Sequence, residues 1–194
     1  MVIESGKSPT HRNVELKAQL TSLEATRSLV QPLATARLAD QHQVDVYFYA
    51  PQGRLKLRTI NKQVAQLIWY CRPDSSRSKT SHYVIARVDD PENVQSALTG
   101  ALGIRCQVDK HREIYLCDNV RIHLDTVAKL GKFLEFEAVL EPEMDSLIGH
   151  RQIADLCQVL SITDVDLIQG SYVDLMEANS AAAAQIPPPP ASPL

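Results

Sequence analysis

Residues 121–137, RIHLDTVAKLGKFLEFE, decide the fold. They read as two strands joined by a turn at Gly131, because charged and apolar residues alternate on both sides of it. In the first strand Arg121, His123 and Asp125 share one face, and Ile122 and Leu124 share the other. In the second, Glu135 and Glu137 oppose Leu134 and Phe136. Three carboxylates, Asp125, Glu135 and Glu137, can therefore converge on neighbouring strands. Carboxylates so placed repel one another unless a cation or a proton compensates, and hard divalent cations take oxygen ligands of this kind. The plainer alternative is an antiparallel sheet with one wet face.

The same alternation runs outward through the chain. Arg12 to Leu20, RNVELKAQL, sets Asn13, Glu15 and Lys17 against Val14, Leu16 and Ala18. Val44 to Tyr49, Arg54 to Thr59, Val64 to Arg72, Ser81 to Val88 and Val108 to Leu116 read as further strands. Arg54, Lys56 and Arg58 share one face, as do Lys110, Arg112 and Ile114. Pro73 to Thr80 reads as a polar loop. Helices are expected over Ser22 to Ala39, with a kink or break at Pro32, and from Pro91 to Leu102 between Asp90 and Gly103. A third is expected over Glu143 to Leu160, with Leu147, Ile148, Ile153, Leu156 and Leu160 among its core positions. Residues 1–11 read as a disordered leader, 12–176 as one domain, and 177–194 as a disordered Ala/Pro-rich tail.

Composition narrows the function classes. The chain has 194 residues with 44% hydrophobic content, enough for one domain with a real core. A net charge of −3 gives no global bias toward nucleic acid or an anionic membrane surface. The four cysteines are scattered, which argues against a zinc site. The polar start and the absence of a long apolar run point to a cytoplasmic protein. A homodimer is compatible with this composition.

The polar faces of the strands are sorted by sign: RLKLR and the Lys110/Arg112 strand are cationic, whereas VELK and LEFE are mainly acidic. The opposite faces are Leu, Ile, Val and Phe, which helices can cover. Such a sheet is economical if it closes into an α+β barrel around an aqueous lumen, with the helices packed outside. A lumen carrying both signs suits a polyanion that brings a metal, since carboxylates hold the cation and Lys/Arg hold phosphate oxygens. The bland alternative is a half-barrel with cross-strand ion pairs on a solvated face.

The segments RNVELKAQL, DVYFYAPQGRLKLR, LIWYCRPD, VDKHREIYL and RIHLDTVAKLGKFLEFE occur in the order seen in the CYTH superfamily, the triphosphate tunnel metalloenzymes. The chain resembles most the class IV adenylyl cyclase type, over roughly residues 12–176. The resemblance implies a closed eight-stranded antiparallel tunnel and Mg²⁺ or Mn²⁺ as cofactor. It implies a small triphosphate as partner, namely ATP, tripolyphosphate or thiamine triphosphate, with neither nucleic acid nor membrane. By the same likeness Arg54, Lys56, Arg58, Lys110, Arg112 and Arg121 would hold the triphosphate. Glu15, Glu135, Glu137 and Asp125 would hold metal, with Lys17 and Glu15 at the reaction centre. The family's E-x-E-x-K pattern stands here as Asn13, Glu15 and Lys17, an amide replacing the first carboxylate. Three readings follow: a cyclase making cyclic AMP and pyrophosphate from ATP, a triphosphatase, and a non-catalytic triphosphate-binding module.

Overall fold

In the computed structural model residues 11–184 are described. The elements are β1 (His11–Leu20), α1 (Leu23–Val30), β2 (Ala36–Arg37), β3 (Gln41–Phe48), β4 (Arg54–Ile60), β5 (Val64–Cys71), β6 (Lys79–Val88), α2 (Pro91–Leu102), β7 (Ile104–Cys117), β8 (Val120–Val127), β9 (Gly131–Leu140), α3 (Ser146–Val159) and α4 (Tyr172–Ala184). Eight strands pair in the order β7-β3-β4-β5-β6-β1-β9-β8, and β8 returns to β7, closing the barrel. Every pairing is antiparallel. The two-residue β2 adds to the end of β7 at Tyr115 and Leu116.

Closure follows from the alternation. The outer faces of β1, β8 and β9 present Val14, Leu16, Ile122, Leu124, Leu134 and Phe136, which form one core with Val30 of α1 and Ile153 and Leu156 of α3. Burying such a face is worth about 25 cal/mol per Å² of apolar surface, which favours covering it with helices over leaving it wet. On the other side Val46, Phe48 and Leu57 pack against Val94, Leu98 and Leu102 of α2. The contact of α3 with the barrel is tight: a Cβ on Gly149 would lie 2.9 Å from Val14 Cγ2. Between β8 and β9 the chain turns through Lys129 at φ 66° and Gly131 at φ 104°.

A third apolar group lies inside the barrel. Val108, Val127 and Phe133 meet Tyr172 and Val173 from the start of α4, and together they seal one end of the lumen. All five are buried. Leu38 and Ile85, both exposed, line the cavity together with Ile60 and the buried Ile114.

The helices differ from expectation at their ends. The helix expected over Ser22 to Ala39 stops at Val30, because Pro32 has no N–H to give. Residues Gln31–Leu33 tighten into a 3₁₀ turn, and Ala36 and Arg37 pair with β7 instead. Ser22 caps α1 as expected, its Oγ accepting from the Ala25 N–H. The buried stripe is Thr26 and Val30, while Leu29 and Leu38 face solvent. In α3, Ile153 and Leu156 are buried but Leu147 and Ile148 are exposed. Lys79 and Thr80, expected in a loop, open β6. The tail expected from residue 177 begins as helix, since α4 continues to Ala184 through an alanine run of high helix propensity. The rest of that tail, and residues 1–10 of the expected leader, lie outside the described residues.

Candidate active site

The lumen holds a cavity of about 420 Å³. Its wall carries seven cationic side chains, Lys17, Lys56, Arg58, Arg72, Lys110, Arg112 and Arg121, against three carboxylates, Glu15, Glu135 and Glu137. Asp45 and Asp125 are buried behind this wall. Even with these two included, cations outnumber carboxylates, and the chamber is built to receive an anion.

Strand register creates the acidic wall. Glu15 lies directly opposite Glu137, and Lys17 opposite Glu135, across the β1–β9 pair. Across β8–β9, Arg121 faces Glu137 and His123 faces Glu135. Directly opposed side chains on antiparallel strands share a face, so the three glutamates gather without any special loop. Lys17 Nζ stands 2.8 Å from Glu135 Oε1, and Arg112 donates to the other oxygen of the same carboxylate. Arg72 Nε lies 2.7 Å from Glu15 Oε1. Glu137 takes Arg121 Nη1 at 3.2 Å and the Asn13 side-chain amide. Burial would raise the Glu135 carboxyl, but Lys17 and Arg112 hold it well below its ordinary range. Glu15 is raised, by burial first, with the Glu135 charge adding to it against Arg72 and Lys17.

The donor set fits a hard cation. Its oxygens come from Glu15, Glu135 and Glu137, and the buried Asn13 Oδ1 beside them has no hydrogen-bond partner. Among the described residues no three His, Cys, Asp or Glu side chains are close enough to encage a metal alone. A divalent cation there would need further oxygens, such as the phosphate oxygens of a ligand, to complete its shell.

The basic wall is held by a residue that the sequence reading did not single out. Asp45 has no exposed surface, and all its partners are cations. Arg58 binds it bidentately at 2.7 and 2.8 Å, Lys56 at 3.0 Å and Lys110 at 2.9 Å. Burial opposes ionisation of Asp45, but Arg58, Lys110 and Lys56 prevail and keep it charged. Burial also pushes Lys110 down to about 7 and Lys56 to about 8. A usable signal was present: alternation puts Asp45 and Tyr47 on one face of β3, and register puts Asp45 opposite Arg58.

Two expected site residues stand apart. Arg54 does not line the cavity; it binds Asp74 and Asp174, each at 2.8 Å, because α4 begins beside it. Asp125 is fully buried behind Arg112, which grips it at 2.7 and 2.6 Å, and it accepts from the Tyr172 hydroxyl at 2.7 Å. Its carboxyl is lowered to about 2, Arg112 outweighing burial. The other expected residues, Glu15, Lys17, Lys56, Arg58, Lys110, Arg112, Arg121, Glu135 and Glu137, all line the one chamber. His123 is buried with its imidazole pKa lowered, by burial first and then by Arg112, so it is neutral at pH 7.

The family model for the CYTH domain matches residues 11–172. The chain belongs to the CYTH domain family. It is similar to a candidate adenylate cyclase of Methanocaldococcus jannaschii, 23% identical over 172 residues, which is 84% of this chain and 97% of that protein. A solved Pyrococcus horikoshii structure is 25% identical, with TM-score 0.76 over 84% of this chain and 98% of that one. A candidate adenylyl cyclase from Hippeastrum, whose structure is described as revealing a dominant triphosphatase activity, shares the fold at 14% identity and TM-score 0.64, covering 86% of this chain and 96% of its own.

Within this CYTH domain two further lumen-side residues went unread in the sequence. Arg72, which closes the strand expected over Val64 to Arg72, is the partner of Glu15. Lys79, directly opposite Glu15 on β6, is buried and donates to Ser75 O at 2.7 Å.

Proposed function

We propose that the protein is a metal-dependent enzyme acting on an organic triphosphate inside the barrel, with class IV adenylyl cyclase chemistry. The observation that carries this reading is the division of one chamber into a basic wall and an acidic wall. Lys56, Arg58, Lys110, Arg112 and Arg121 bind the phosphate oxygens. Glu15, Glu135 and Glu137 would hold Mg²⁺ or Mn²⁺, which would supply charge neutralisation on the phosphates. The clamp aligns the ribose 3′-oxygen with the α-phosphorus; that O–P bond forms as the bond to the pyrophosphate oxygen breaks. Lys17, paired with Glu135 and lying over the Tyr172 ring, holds the phosphate end of the substrate by its charge, and the proton of the attacking 3′-hydroxyl passes to solvent water at the open end. The apolar rim of Leu38, Ile60, Ile85 and Ile114, with Tyr83 stacked by His11 at 5.3 Å, favours a substrate bearing a flat organic group over bare tripolyphosphate.

A second reading, hydrolysis of the terminal phosphate, rests on Asn13. An amide beside Glu137 makes the metal site less anionic than two carboxylates would, and a site that lines water up on the terminal phosphorus, with the diphosphate oxygen leaving, gives a triphosphatase. A triphosphate-binding module without turnover is the limiting case. The four free cysteines support the reading of a reducing, cytoplasmic location. Among the described residues no helix is long and apolar enough to cross a membrane.

The test is a panel of ATP, tripolyphosphate and thiamine triphosphate with Mg²⁺ or Mn²⁺, with cyclic AMP, pyrophosphate and phosphate all measured. Cyclic AMP with pyrophosphate is expected from ATP. Phosphate without cyclic AMP would replace the cyclase reading with the hydrolase reading. No turnover on any substrate with either metal would sink both.

A further inference from the structure

Two lysines, Lys56 and Lys110, reach the same oxygen of one buried carboxylate. Asp45 Oδ2 accepts from Lys56 Nζ at 3.0 Å and from Lys110 Nζ at 2.9 Å, and also from Arg58 at 2.8 Å. Two ammonium groups sharing an oxygen repel each other, and both are almost fully removed from water. The groups facing them extend the repulsion. Arg58 stands beside them on β4 and Arg112 on β7, while β3, β5 and α4 contribute the phenols of Tyr47, Tyr70 and Tyr172. Among the described residues Asp45 is the one carboxylate that touches either lysine. Four hydrogen bonds from three cationic side chains already occupy it, so it is not a metal ligand in waiting.

We propose that Asp45 is a positioning residue for the phosphate clamp, gathering Lys56, Arg58 and Lys110 at one point and keeping the two lysines protonated before any ligand arrives. The proposal rests on the reading that a polyphosphate enters this chamber. The balance is delicate, because a lysine already pushed down to about 7 or 8 by burial is near losing its proton at physiological pH. Only the charged form attracts phosphate strongly, so binding is strong below those values and fades above them. Removing the Asp45 charge lowers the proton affinity of both lysines again and moves the fade to lower pH. At pH 6 the loss is partly offset, since removing an anion also leaves the chamber more positive toward the incoming phosphates.

The experiment measures tripolyphosphate binding by titration calorimetry on the full chain from pH 6 to 9, without catalysis. For Asp45→Asn the midpoint of affinity loss is expected about one unit or more below that of the wild type. The ratio of affinities at pH 6 and pH 8 then widens about tenfold. Asp45→Glu, which keeps the charge, should return the midpoint toward the wild-type position. Equal weakening at both pH values would mean that Asp45 merely shapes the wall, and would overturn the proposal. If Asp45→Asn does not fold, Lys110→Arg decides, because arginine stays charged throughout. A flattened profile supports the proposal, and a wild-type profile overturns it. Wild-type protein that binds neither tripolyphosphate nor ATP at any pH would refute the function on which the proposal rests, a result distinct from binding with an unmoved midpoint.

Discussion

The hydroxyl of Tyr172 donates a 2.7 Å hydrogen bond to Asp125 Oδ2, joining the first turn of α4 to the floor of the barrel. The same ring lies under Lys17 Nζ at 3.8 Å and meets Phe133 edge-on at 5.0 Å. The bond is to a buried charge, for which about 1.5–3 kcal/mol is typical. Tyr172→Phe keeps the apolar plug and deletes only that bond. A melting decrease on the order of 5 °C is expected by calorimetry, with the barrel intact. An unchanged melting temperature would show that Arg112 alone satisfies Asp125.

Asn13 donates to Glu137 while its own Oδ1 has no partner. Asn13→Glu would set two carboxylates side by side. Without metal this variant should melt lower than the wild type, since close like charges are destabilising. With Mn²⁺ it should gain more in melting temperature than the wild type does. A thermal-shift titration checks both signs. A smaller metal response than wild type would place the cation elsewhere.

The approach of α3 to β1 gives a test of packing. Gly149→Ala brings a methyl to 2.9 Å from Val14 Cγ2 and 3.2 Å from Leu140 Cδ2. Over-packing of this kind costs about 1–3 kcal/mol, so the urea midpoint should fall with the slope unchanged. Catalytic constants at low temperature should be unaltered, because the contact is on the outer face of the barrel.

Stability and ligand affinity should move in opposite directions above neutrality. Lys110 and Lys56 ionise at about 7 and about 8 in the folded protein, below the ordinary lysine value of 10.5. Between those limits the unfolded chain holds more protons at these sites than the folded one. The lysine contribution to stability therefore rises with pH from about 7 to about 10. Polyphosphate affinity falls across the same window, since the lysines lose the charge it needs. Parallel urea melts and binding titrations at pH 7 and 9 check the pair. Both quantities falling together would contradict the depressed lysines.

The strands were legible because alternation at period two survives on both faces, and sorting by sign distinguished a lumen from a wet surface. Alternation put Glu135, Lys17 and Arg112 on polar strand faces, and the resemblance to the CYTH family implied their roles. Arg54 and Asp125 could not be placed correctly, since what claims each is α4, whose docking depends on the whole barrel. Asp45 was overlooked because a lone acid in VDVYFY resembles a break in an apolar strand. Its meaning appears only once β4 and β7 flank it. Lys79 was hidden by neighbours of loop-like composition, though pairing with β1 carries β6 back to it.

The seal of Val108, Val127, Phe133, Tyr172 and Val173 across one end makes the barrel a blind alley. Traffic in such a space runs last in, first out. For a triphosphate that enters phosphates foremost, whatever is cut from the deep end must wait behind the part nearer the opening. Product departure would thus have a compulsory sequence, imposed by the side chains that close the far end.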